Sequence, residues 1–88
     1  MMAELSKKLN DMFMDECEGV KDYAALSKQM KEEHPDKAYA QIFKDMANEE
    51  KVHRDHIRSI IADMGADFTD DMAKAEEESD KAYKSLFC

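Results

Sequence analysis

Tryptophan is absent from this 88-residue chain, and proline occurs once, glycine twice and cysteine twice. With so few helix breakers, little interrupts long stretches of Ala, Glu, Lys, Met and Leu, all good helix formers. Cys17 and Cys88 make no disulfide framework, and no Cys-x-x-Cys pair offers thiolates to zinc or iron. No apolar run approaches the ~20 residues of a membrane span. The N-terminus lacks the charged, apolar and small-residue layout of a signal peptide, so a reducing cytoplasm is the expected compartment. Basic residues are outnumbered 13 to 21, for a net charge of -8. That balance argues against nucleic acid and against an anionic membrane surface, both of which need a basic footprint. The 43% of hydrophobic residues nevertheless supplies a core, so the 39% of charged residues does not mean disorder. Residues 1–88 make one small domain, near the lower end of what folds without staples.

Three helices follow from the pattern, over about 3–33, 36–64 and 70–87. In the first, Leu5, Leu9, Met12, Glu16, Gly19, Tyr23, Leu26 and Met30 recur at steps of four and three, which keeps them on one helix face. Phe13 and Val20 widen the stripe, while Asp11, Asp15, Glu18 and Asp22 read as solvated. His34-Pro35-Asp36 ends this helix, since proline disfavours helix in the residue before it and is tolerated in a first turn. The second stripe is Tyr39, Phe43, Met46, Glu50, His53, Ile57, Ile60 and Met64. Both stripes are expected to be buried. Gly65 suits a left-handed cap, and Thr69 suits the N-cap of the third helix, ahead of Asp70 and Asp71. The third stripe is Met72, Glu76, Ser79, Tyr83 and Leu86. Displaced by sixty, it matches Met12, Glu16, Gly19, Tyr23 and Leu26.

A short turn makes the first two helices an antiparallel hairpin. If the turn centres near His34, residues whose numbers sum to 69 lie level, so Leu9 faces Ile60, Glu16 faces His53 and Gly19 faces Glu50. The polar interruptions of two apolar stripes therefore coincide at mid-hairpin. A buried ionised carboxylate is costly unless it is paired or bound to metal. Carboxylate oxygen and imidazole nitrogen suit divalent iron or manganese, and zinc accepts the same donors. Glu16, Glu50 and His53 make half of the four-Glu, two-His set that serves two metals in a four-helix bundle. A two-fold dimer of hairpins would supply the whole set.

Glu16 and Tyr23, seven apart, followed by Glu50-x-x-His53, resemble the first half of a ferritin-like or rubrerythrin-like di-iron domain over residues 9 to 64. The resemblance makes Glu16 the first-helix iron ligand, Glu50 the bridging glutamate, His53 the histidine ligand and Tyr23 the tyrosine near the centre. It is nearest to small encapsulated-ferritin-like proteins, in which two chains build the site. It implies an all-α fold that dimerises into a ferritin-like four-helix bundle, iron as the cofactor, and oxidation of Fe(II) by oxygen. A homo-oligomer, either a dimer or a ring of dimers, is the implied partner. The third helix either packs its tip on something, with a larger shell or another protein as candidates, or is the remnant of a longer repeat.

The departures matter equally. No second Glu-x-x-His occurs, so one chain does not complete the site. The loop before the third helix is short, which sets that helix antiparallel to the second and leaves Glu76 out of the family's third-ligand position. Glu76, Glu49 and His56 are accessory candidates if they turn inward, and solvated residues if they do not. The other readings of the same acids are a non-catalytic acidic helical adaptor, with Glu50 and His53 setting register, and a metal store or carrier without turnover.

Overall fold

The computed structural model describes Met2–Phe87, with side chains from Ala3 onward; Met1 and Cys88 lie outside the described residues. The protein is 88% helical and all-α, with no strand among the described residues. Helix α1 spans Met2–Glu33, α2 spans Tyr39–Met64 and α3 spans Asp70–Lys84, closed by a 3-10 turn over Ser85–Phe87. At ~1.5 Å per residue, the 32 residues of α1 account for most of the 51 Å long axis. None of the helices among the described residues is long and apolar enough to cross a membrane.

The breaks fall where the breakers stand, with one shift. The His34 amide donates to Met30 O (2.8 Å) and the Lys37 amide to His34 O (3.1 Å), so Pro35 and Asp36 sit inside a turn. Helix α2 accordingly begins at Tyr39 and not at residue 36. Ala38 at its N-cap offers no side-chain acceptor. The Ser27 hydroxyl donates to Ala40 O at 2.7 Å and ties the two helices together next to the turn. Gly65 ends α2 at φ 65°, ψ 25°, a left-handed conformation that glycine adopts without a Cβ penalty. The Thr69 hydroxyl accepts the Met72 amide at 3.2 Å and starts α3.

The buried stripe is offset from the expected one, sharing Leu9 and Ile57 with it and centred on the widening residues Phe13 and Val20. On α1 it is Leu9, Phe13, Cys17, Val20, Ala24 and Ser27, again at steps of four and three, and on α2 it includes Ala47, Arg54, Ile57 and Ile61. Helix α3 covers this face with Met72 and Ser79, and Phe68 meets Phe13 edge-on at 5.4 Å. Glu76 lies by Arg58, Asp80 by Arg54, and the Tyr83 hydroxyl donates to Asn48 Oδ1 at 2.9 Å. Those pairings run α3 antiparallel to α2, as its short loop requires. By contrast Leu5, Met12, Tyr39, Ile60 and Met64 are exposed within the single chain. Adjacent residues differ by about 100° around a helix. Met12 and Phe13, or Gly19 and Val20, therefore belong to neighbouring stripes, and α3 covers only the second member of each pair. The sixty-residue repeat does not give all its matched residues the same surroundings: Met12 is exposed where Met72 is fully buried.

Arg54 holds α3 in place. Its guanidinium, 4% exposed, donates to Ser79 Oγ (2.7 Å), Asp80 Oδ1 (2.8 Å) and Asp55 Oδ1 (2.7 Å). Burial alone would lower its pKa; the hydrogen bonds to Asp55 and Asp80 outweigh that and raise it.

Candidate metal centre

The expected register holds at mid-hairpin, on the face that α3 leaves open. On α1, Glu16 and Gly19 stand about one turn apart; level with them on α2 are His53 and Glu50. Glu16 Oε2 is 3.6 Å from His53 Nδ1. A Cβ built on Gly19 would lie 2.8 Å from Glu50 Oε2. The Glu50 carboxylate thus rests against bare glycine backbone and reaches across to α1. One ligand atom from each of Glu16, Glu50 and His53 lies within 4.8 Å of the others.

The electrostatics of this cluster are unsatisfied. Glu16 Oε2 is buried and has no hydrogen-bond partner among the described residues, since 3.6 Å to His53 is too long for one. Such an orphan costs about 1–3 kcal/mol. Burial, then hydrogen bonding to and repulsion from Glu50, push the Glu16 carboxyl up to about 7, against the opposing pull of His53. A cation among the three donors would satisfy the orphaned oxygen and relieve the repulsion between the carboxylates. Two carboxylates and an imidazole are the donor types that iron, manganese or zinc accepts. The residues therefore fit a divalent metal. The His53 side chain is 56% exposed, so the cluster opens outward.

The accessory candidates do not join it. Glu76 sits on α3, on the covered face, with Oε2 3.7 Å from Arg58 Nε. Glu49 and His56 are exposed and lie outside the convergent group. Tyr23 lies a turn beyond Gly19, its ring stacked on Phe43 at 6.2 Å. Cys17 belongs to the covered face, where burial pushes its thiol up, partly offset by a hydrogen bond with Ser79 and by the Arg54 charge. Arg54 is the polar residue that the sequence reading missed. Its signal was there in the series Ala47, Arg54 and Ile61, a charge at sevenfold spacing between apolar residues.

A family model described as Rubrerythrin matches residues 7–87. The chain belongs to the rubrerythrin family, within the ferritin-like di-iron superfamily. No curated protein and no solved structure gave a match. Rubrerythrin-type domains generally bind iron, and Glu16, Glu50 and His53 form the candidate site for it in this member. The hairpin of this rubrerythrin-family chain brings together two carboxylates and one imidazole.

Proposed function

We propose that this rubrerythrin-family protein holds a di-iron centre between two copies of the chain and oxidises Fe(II) with oxygen. The convergence of Glu16, Glu50 and His53 within 4.8 Å, on the face that α3 leaves open, carries this reading. The surroundings support it. Leu5, Met12, Ile60 and Met64 are exposed toward one end of the hairpin, and Tyr39 and Ile42 toward the other. Apolar rows of this length on a small protein mark an interaction surface. Covering them with a second copy by a two-fold would bring together four glutamates and two histidines. Manganese or zinc would use the same donors.

In this reading Glu16, Glu50 and His53 of each copy would hold the metals. Bound iron would supply the redox centre that passes electrons to oxygen. Glu16 must shed its proton to bind metal, so loading releases protons and strengthens as pH rises through about 7. Fe(II) is the substrate: each ion loses one electron, and oxygen accepts them. A reducing cytoplasm, which keeps Fe(II) available and Cys17 a free thiol, is the compartment that suits this chemistry.

Anaerobic titration with Fe(II), followed by admission of air, tests the proposal. About one iron per chain, in a dimer, with near-ultraviolet ferric absorption and oxygen uptake that both vanish in Glu50→Ala and His53→Ala, is the expected result. Iron retained without oxygen uptake would reduce the function to storage or delivery. No iron retained, with a dimer indifferent to chelators, would leave an acidic helical adaptor.

A further inference from the structure

The chain has two glycines, and the two need different explanations. Gly65 has a positive φ, which accounts for it. Gly19 lies within α1 in ordinary helical conformation, where propensity favours alanine. Its backbone thus gives no reason for glycine, and its surroundings do. A Cβ at Gly19 would meet Glu50 Oε2 at 2.8 Å and Glu50 Cδ and Cγ at 3.3 Å, and these are its three nearest atoms. Space at Gly19 is reserved for one side chain, that of Glu50.

We infer that Gly19 is a positioning residue for the metal centre: its missing side chain is the socket in which the Glu50 carboxylate lies, within reach of Glu16 and His53. The inference rests on the metal-binding reading above. With a methyl at position 19, Glu50 Oε2 would have to retreat from 2.8 Å to at least ordinary contact near 3.4 Å. Metal–ligand distances tolerate only about ±0.2 Å. A half-buried glutamate at the end of a flexible stem can make that retreat by changing rotamer, so the helix survives and the donor is lost from its place.

The test is Gly19→Ala in the full chain, read two ways. Co(II), followed anaerobically by its visible absorption against a competing chelator, reports metal affinity and coordination. The melting temperature in excess chelator reports the fold. Affinity is expected to fall about 10–100-fold, the usual loss when a residue that orients a ligand is changed. The Co(II) spectrum should change with it, and the metal-free melting temperature should stay level or rise. Gly65→Ala is the control with the reverse pattern: a lowered melting temperature and unchanged Co(II) affinity. In a Glu50→Ala background, adding Gly19→Ala should weaken Co(II) no further, because the ligand it positions is already gone. Co(II) bound by Gly19→Ala within twofold of wild type, with the same spectrum, would overturn the inference and leave the metal centre standing. So would a melting temperature that falls as in Gly65→Ala, since the methyl would then be disturbing the helix packing. Wild-type protein that binds no Co(II) or Fe(II) overturns both readings together.

Discussion

Replacing Glu16 by glutamine is expected to stabilise the metal-free protein, by an amount that depends on pH in a calculable way. The Glu16 carboxyl is pushed from 4.5 to about 7 by burial and by Glu50. The folded state therefore holds its proton more tightly than the unfolded chain does. Below about pH 4.5 both states are protonated and Glu16 imposes no penalty. As pH rises toward 7 the unfolded chain ionises freely while the folded one resists, so stability falls, and above about 7 the penalty levels off. At about 1.4 kcal/mol per pK unit the full shift corresponds to about 3 kcal/mol. The side chain is 23% exposed, and solvent screening trims this to about 2–3 kcal/mol. Glutamine keeps the shape and cannot ionise, so Glu16→Gln should lack this slope. Urea unfolding in excess chelator, at one protein concentration and between about pH 4.5 and 8, measures it. The two proteins should coincide at the acid end and diverge by about 0.7–3 M in midpoint at the alkaline end, given a urea slope of about 1–3 kcal/mol per M. Parallel profiles across the whole range would refute the premise that Glu16 is held as an unsatisfied acid, and with it the electrostatic case for a cation there.

Arg54→Ala should cost about 3–5 kcal/mol, because it strands Asp80 and Ser79 beside a cavity at 4% exposure; urea unfolding gives the loss, and hydrogen exchange should show α3 opening first. Phe13→Ala, at a fully buried position facing Phe68, should cost about 3–5 kcal/mol in the same assay, with the Co(II) affinity of the folded protein unchanged, since the ring lies on the covered face. Met12→Glu combined with Ile60→Glu places charges on the open face and should give monomers by sedimentation, with helical circular dichroism intact. Loading with metal at about 100 times its dissociation constant should stabilise the wild type by about 2.7 kcal/mol, an increment that chelator removes and His53→Ala lacks.

The elements of this fold were legible because each boundary carries its own chemistry. Pro35 denies α1 a continuation, Gly65 takes the left-handed cap, and the Thr69 hydroxyl caps α3. The hairpin register was legible too, because two periodic stripes with polar interruptions align in only one way, and Glu16 and His53 do meet at 3.6 Å. What periodicity could not tell was which stripe α3 covers. The rows containing Met12, Glu16 and Gly19 and those containing Phe13, Cys17 and Val20 have the same four-three spacing and sit one residue apart. Choosing between them depends on a tertiary contact that only the third helix supplies. The start of α2 was misjudged for a related reason: Pro35 can open a helix, but here the Lys37 amide closes a turn on His34 O.

Each stripe of α2 is interrupted by a charge, and the two interruptions have opposite fates. Arg54 breaks the covered stripe and is met by Ser79, Asp80 and Asp55 from its own chain. Glu50 breaks the open stripe and faces Glu16, an acid like itself, whose Oε2 has no partner among the described residues. Desolvating a charge is tolerable when the fold returns hydrogen bonds and opposite charge, which is what Arg54 receives. Glu16 receives less: burial and Glu50 outweigh the pull of His53 and push its carboxyl up to about 7. A lone charge on an apolar helix face is therefore ambiguous in sequence, and its own-chain partners settle the matter. Arg54, fully partnered, belongs to the architecture, while Glu16 Oε2, without a partner among the described residues, marks the cluster that a cation would complete.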